Sequence, residues 1–361
     1  MKNCIERAKE NHTEEKIAAF RVRQQLPYEA KIQHAKNIAW EYYNECSRRG
    51  LNCHVSVGGL DSITLLIFLR SIGIDVSAVS VSALEDKSIQ AVHKQLGVEP
   101  IKPLKSKVEV IREHGFPVLS KEIAGKISLL QHPTPDNATV RHAIITGETG
   151  EYGGYRKNTR MKLSQKWLEK FGGYENEREG TKYACPNFLV SDKCCYYLKE
   201  RPCDMWAKKH NSVPYLGLMA SEGGRRQKSL MMHGCNYFGA STIRSAPFAI
   251  FERQDILQLA LDLQVPVPEI YGEIIREDDG TLRTTKAQRT GCSMCGFGIH
   301  LEKRPHRFDR LYDANPKEWE FWMNGCCTDP ITGEKYGWGR VLDYIGVGWR
   351  MDENENGQKK L

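Results

Sequence analysis

Long apolar runs are missing from this sequence. No stretch approaches the roughly 20 consecutive apolar residues that a membrane-spanning helix needs, so a helical integral membrane protein is excluded. The opening MKNCIERAKENHTEEK is charged throughout and has no apolar core, which excludes a secretory signal. Internal repeats and low-complexity tracts are lacking too. Neither charge sign dominates: 52 Lys and Arg stand against 45 Asp and Glu, a net charge of +7. That mild basic excess suits an anionic ligand such as a nucleotide or a nucleic acid. With 40% hydrophobic and 27% charged residues over 361 positions, the chain can bury a full core. A cytoplasmic protein with no membrane partner is expected.

Cysteine, by contrast, is abundant. The 12 residues are Cys4, Cys46 and Cys53, then Cys185, Cys194, Cys195 and Cys203, then Cys235, Cys292 and Cys295, and finally Cys326 and Cys327. In a reducing compartment such clustering points to a metal site rather than to disulfides. Cys194-Cys195 is an adjacent pair and Cys292-Ser293-Met294-Cys295 is a C-x-x-C. Four thiolates match a cuboidal iron–sulfur cluster, one per iron. Adjacent cysteines suit tetrahedral zinc poorly, since its usual pairs are C-x₂₋₄-C. Zinc and unligated thiols are the alternatives. His142, His233, His300 and His306 have no mutual spacing that marks a metal site.

The organisation alternates helix and strand. Tyr28, Ile32, Ala35, Ala39 and Tyr42 form an apolar helical stripe between Pro27 and Gly50. The run from Cys53 to Val57 predicts a strand, followed by Gly58-Gly59-Leu60-Asp61-Ser62 and a helix through Ile72. Val76 to Val81, Pro100 to Leu104 and Val213 to Met219 are further strand candidates. Ile256 to Leu263 reads as helix, ended by Val265-Pro266-Val267-Pro268. This alternation predicts βαβ units and a doubly wound, mostly parallel α/β sheet. The expected division is a helical segment at 1–50, a nucleotide-binding domain at 51–270 and a cysteine-containing region at 271–361. A basic, solvated insertion is expected at about 132–185, in which Arg156, Lys157, Arg160, Lys162 and Lys166 either face a nucleic acid, with Tyr152, Tyr155 and Trp167 stacking on bases, or simply form a solvated helix face. Phe308, Leu311, Trp319 and Trp322 read as core.

Between strand and helix, Gly58 and Gly59 let the backbone approach a phosphate, and the following helix offers unpaired N–H groups at its positive end. No G-K-[ST] follows, so this is not a Walker loop. The segment Val57-Gly58-Gly59-Leu60-Asp61-Ser62 resembles the S-G-G-x-D-S "PP-loop" of the adenine-nucleotide α-hydrolases, with Val57 in place of the first Ser and Ser56 next to it. The resemblance implies that Ser56, Gly58, Gly59, Leu60, Asp61 and Ser62 bind ATP or another adenine nucleotide, with Mg2+ accompanying it.

Lys193-Cys194-Cys195 through Lys199 to Pro202 is similar to the C-C-x-x-x-K-x-x-P stretch of assimilatory adenosine phosphosulfate (APS) reductases, and Gly291-Cys292-Ser293-Met294-Cys295 to their G-C-x-x-C. In that family the four thiolates ligate a 4Fe–4S cluster, which implies Cys194, Cys195, Cys292 and Cys295 as ligands here. Gly217 through Arg226 resembles a further family strand-loop in which Glu222 and Arg226 agree, and Ala246 to Tyr271 resembles another segment. Arg225, Arg244 and Arg253 are other candidates to clamp an oxyanion, with a solvated surface position the favoured reading for each of them. The chain departs from APS and phosphoadenosine phosphosulfate (PAPS) reductases in ending without the tail cysteine that serves as their nucleophile; Cys326 and Cys327 are the nearest candidates. The Asp61-Ser62 ending is typical of ATP-cleaving members. The resemblance therefore implies ATP-dependent, adenylylating sulfur transfer to a nucleic acid or small molecule, with Asp61, Lys199 and Arg226 in catalysis and a thiol or sulfur-donor protein as partner. APS or PAPS reduction, and a non-catalytic nucleotide- or nucleic-acid-binding protein, are the alternatives.

Overall fold

A computed structural model describes residues 4–148, 160–177, 180–350, 352–353 and 359–360. The chain is a mixed α/β protein that divides into two units, one of residues 1–102 and 201–293, the other of 103–200 and 294–361. These units interleave along the chain, whereas the sequence reading has contiguous segments at 1–50, 51–270 and 271–361. Among the described residues no helix is long and apolar enough to cross a membrane.

The first unit is built on a six-stranded sheet. Its strands are β1 (Asn52–Ser56), β2 (Ser77–Ser80), β3 (Glu99–Pro100), β4 (Ser212–Tyr215), β5 (Asn236–Phe238) and β6 (Ile243–Ser245). They lie in the order β3-β2-β1-β4-β6-β5. All pairings are parallel except β5 with β6. In β1, Val55 stands opposite Ala78 on one side and Tyr215 on the other. Its Cys53, His54 and Val55 are all buried, as in a parallel strand covered on both faces. The predicted third strand shrinks to Glu99–Pro100, where prolines at 100 and 103 cannot donate to a ladder. The strand expected to reach Met219 stops at Tyr215.

Helices supply the rest of this core. Pro27 precedes the helix Tyr28–Arg48, whose Ala35, Ala39, Tyr42 and Cys46 are buried as the spacing predicts. The helix Leu60–Ser71 buries Leu60, Ile63, Thr64, Leu65, Leu66, Phe68 and Leu69. A helix apolar on nearly every side is stable only when enclosed, and it directly follows the glycine loop. The helix Arg253–Asp262 ends ahead of the Val265–Pro268 run.

The second unit has its own core, with Phe116, Phe171, Phe188, Phe308, Trp319, Trp322 and Trp338 among its residues. Its strands are short: Gly296–Phe297 pairs in parallel with Val118–Leu119. Phe308, Trp319 and Trp322 are core residues, as their sequence suggests. The insertion at 132–185 is not simply solvated, and this corrects the expectation. Leu163, Trp167, Leu168, Phe171 and Tyr183 are buried in this core, so Trp167 is a packing residue rather than a platform for bases. Its apolar surface is stabilised more by enclosure than by exposure on a basic face. Tyr152, Tyr155, Arg156 and Lys157 lie outside the described residues.

Leu66 is fully enclosed. Leu66→Ala should destabilise the first unit by about 2–5 kcal/mol through lost burial and a residual cavity. Chemical denaturation followed by circular dichroism would read this; a loss below about 1 kcal/mol would mean that the helix is not packed as described.

Candidate nucleotide loop and cysteine groups

The loop leaves β1 at its carboxyl end, the edge where open α/β sheets bind ligands. Val57 N–H still bonds to the Val79 carbonyl at 2.8 Å, so the chain turns only after the sheet register is set. Ser62 then closes the turn on itself. Its Oγ accepts from Gly58 N–H at 2.7 Å and donates to the Gly59 carbonyl at 2.9 Å. Gly59 caps the helix Leu60–Ser71, whose first turn also carries Asp61. Helix dipole and first-turn N–H groups make this end a favourable place for an anion.

Three neighbours hold the turn. His93 is 1% exposed, and its Nε2 lies 2.8 Å from the Gly58 carbonyl. A carbonyl only accepts, so Nε2 carries a proton, and in the neutral ring Nδ1 accepts from Ser82 Oγ at 2.9 Å. The Tyr271 hydroxyl accepts from Leu60 N–H at 3.1 Å and pairs with Thr290 Oγ1 at 2.7 Å. Burial pushes the Tyr271 phenol above its usual range, so it stays neutral. Gly217 lies against the loop so closely that a Cβ there would come within 3.1 Å of Ser62 N and Cα.

Charged groups surround the same turn. Arg253, at the start of its helix, pairs with Asp61 and also donates to the Gln288 carbonyl at 3.2 Å. Glu222, only 8% exposed, pairs with Arg226 at 2.5 Å and Arg289 at 3.5 Å. Burial pushes the Asp61 carboxyl up, against the pull of Arg253 and Arg289, while Glu222 adds to the rise. Three guanidiniums face two carboxylates in these pairs, and a third carboxylate, Glu85, lies 3.8 Å from where a Cβ on Gly58 would sit. The structure thus brings together Gly58, Gly59, Leu60, Asp61, Ser62, Glu222 and Arg226 in one unit. Ser56 ends β1 just ahead of them. Sequence reasoning missed Arg289, His93, Tyr271 and Thr290 as members of this group, and left Arg253 as a surface residue. Nothing in their spacing marks them. The side chain of Arg225 is not among those described, and Arg244 bonds Ser229 Oγ at 3.1 Å.

The cysteine groups divide between the two units. Cys194 is buried and Cys195 half-buried in the short helix Lys193–Cys195 of the second unit, followed by the π-helical turn Tyr196–Glu200 that carries Lys199. The surroundings of the pair are basic. Lys121 hydrogen-bonds Cys195 and pairs with Glu200 at 2.9 Å. Burial works against the Lys121 ammonium, yet Cys195 and Glu200 hold its pKa above the usual lysine range. Half-buried Cys292 belongs to the first unit and half-buried Cys295 to the second, because the division falls between Ser293 and Met294. Within this C-x-x-C, Met294 takes the left-handed conformation at φ 52°. Among the described residues no three or more His, Cys, Asp or Glu side chains are gathered for a metal ion. The donor chemistry nonetheless suits a thiolate-ligated centre, since a cation beside Cys195 favours its ionised form.

Cys326 and Cys327, the candidate nucleophiles, are 0% and 3% exposed inside the second core. Cys326 Sγ lies 3.4 Å from the Trp322 carbonyl and 4.0 Å from Cys327 Sγ. The hydrogen bond from Cys326, with help from Arg112, lowers the Cys327 thiol below its usual range. Both are closed to a bulky substrate in this conformation.

No family model and no curated protein sequence matches the chain.

A Cβ on Gly59 would lie 2.2 Å from the Tyr271 hydroxyl and 3.0 Å from Thr290 Oγ1. Gly59→Ala should therefore cost about 1–3 kcal/mol by overpacking. Tyr271→Phe in the same chain should recover much of that loss, because it removes the oxygen in the way. Strictly additive effects in the double variant, measured by denaturation, would contradict the packing.

Proposed function

We propose that this chain is a PP-loop enzyme, related to the sulfonucleotide reductases, that cleaves ATP to activate an acceptor for sulfur transfer. The observation that carries the reading is the placement of the Gly58–Ser62 turn at the carboxyl end of a central parallel strand, at a helix N-terminus and among Arg226, Arg253 and Arg289. A phosphate chain fits this combination of backbone N–H groups and guanidiniums.

In this reading the loop N–H groups and Ser62 orient the ATP phosphates. An acceptor oxygen attacks the α-phosphorus; the new oxygen–phosphorus bond forms as the bond to pyrophosphate breaks. Arg253 and Arg289 neutralise the charge that develops on the leaving pyrophosphate, and Asp61 and Glu222 keep these guanidiniums aimed at the loop. A Mg2+ accompanying ATP would supply further positive charge to the phosphates. A sulfur nucleophile from a donor then displaces AMP from the adenylylated acceptor. Cys194, Cys195, Cys292 and Cys295 would hold a 4Fe–4S cluster, which when bound supplies redox-active, sulfide-rich chemistry. Lys121 places positive charge beside Cys195, and Lys199 follows the pair in the next turn. APS reduction is the second reading, favoured by the C-C and C-x-x-C pattern. The burial of Cys326 and Cys327 weighs against it, since neither is open to take up a sulfonate.

Arg289→Ala should weaken binding of a non-hydrolysable ATP analogue about tenfold, or about 1.4 kcal/mol, by calorimetry. Unchanged affinity would remove the nucleotide from this loop. Anaerobically prepared protein should hold about four irons per chain, and Cys195→Ser should lower that content. Pyrophosphate release from ATP in the presence of acceptor supports the first reading; sulfite release from APS replaces it with the second.

A further inference from the structure

The glycine loop uses the carboxyl edge of the six-stranded sheet. The opposite edge holds a cavity of about 620 Å³. Asn52, Ser77 and Ser212, the first residues of β1, β2 and β4, line it together with Tyr43, Asp75, Trp206 and His210. All of them belong to the first unit. A volume of this size admits a small organic molecule.

The architecture gives this edge a sign. Where helices connect parallel strands they run back along the sheet, so the edge at which strands begin is also the edge at which helices end. The helix Tyr28–Arg48 ends just before β1, and the helix Leu60–Ser71 ends shortly before Asp75. A third helix, Arg201–Lys209, carries Trp206 and is followed by His210. The carboxyl end of a helix bears partial negative charge, so this edge favours cations as the loop edge favours anions. Arg48 and Arg49 are both paired with Glu45, at 2.6 and 2.7 Å, and Arg70 donates to the Leu96 carbonyl at 3.0 Å. Lys208 and Lys209 close the third helix without lining the cavity.

The wall has matching chemistry. No Lys or Arg is among its described lining residues, and Asp75 is exposed, with no ion pair or hydrogen bond among the described residues. Trp206 is fixed from two sides: its Nε1 donates to Glu99 Oε1 at 2.9 Å, and its ring stacks on His210 with centroids 4.1 Å apart. His210 Nδ1 lies 2.8 Å from the Trp206 carbonyl and so carries the proton, which makes Nε2 of the neutral ring an acceptor. Asn52 Nδ2 donates to the His210 carbonyl at 2.9 Å. Buried His54 has its Nδ1 2.8 Å from Ser212 Oγ. Burial, with His210 adding to the fall, lowers the His54 pKa to about 4, so this ring brings no positive charge to the edge.

We propose that this cavity binds a small organic cation carrying a primary ammonium group. Asp75 takes the ammonium in a charge-assisted hydrogen bond, and the Tyr43 and Trp206 rings flank the charge and the alkyl chain. The site does not depend on the function proposed above.

The test titrates the full-length protein with putrescine by isothermal calorimetry. A saturable, single-site isotherm is expected, and Asp75→Asn should weaken it about tenfold or more. Because Asp75 is exposed and unpaired, that variant should keep its circular dichroism spectrum and melting temperature, so the loss reads binding rather than folding. Succinate, a dianion of similar length, should give no saturable heat. Absence of saturable putrescine binding would overturn the proposal, as would unchanged affinity in Asp75→Asn or binding of succinate as tightly as putrescine.

Discussion

The first unit depends on how closely backbone can approach backbone where the glycine loop leaves β1. Gly217 sits so close to Ser62 that a Cβ there would meet its backbone at 3.1 Å, and Gly59 sits beneath the Tyr271 hydroxyl. Because these approaches are close, the loop can be held by short bonds from outside itself: His93 at the Gly58 carbonyl and Tyr271 at the Leu60 amide. A turn held from several sides keeps its N–H groups pointed one way, and preorganised dipoles are what a phosphate site needs. The same closeness delivers Arg253 to Asp61, since the helix that begins with Arg253 packs on the helix that begins with Leu60.

The charge balance around the loop follows from that packing. Asp61 and Glu222 are paired with guanidiniums rather than exposed, so neither stands as a bare negative charge beside the loop. Arg226 and Arg289 are 54% and 64% exposed on one shared carboxylate. Exposed pairs of this kind are worth little to stability, which leaves both free to trade Glu222 for a stronger anion.

In the second unit, aromatic packing and sulfur chemistry share the same elements. The helix Lys107–His114 supplies Ile111 to the core, while its Arg112 reaches the Cys326 carbonyl at 2.8 Å. Next to it, His114 stacks on Tyr197 with ring centroids 4.7 Å apart, just after the cysteine pair. Large rings therefore fix the short, irregular helix Lys193–Cys195 in a region with little regular sheet.

Local pattern was enough to place β1, the glycine turn, the helix after it and the stripe of Ala35, Ala39 and Tyr42, because each depends on neighbours along the chain. It was enough to pick out Gly58 through Ser62, Glu222 and Arg226 as candidates, by their likeness to a known motif. It could not find His93, Tyr271, Thr290 or Arg289, whose roles rest on contacts with residues far away in sequence. For the same reason it misjudged the segment at 132–185: charge and glycine content suggested a solvated face, but Leu163, Trp167 and Phe171 are enclosed by partners distant in sequence.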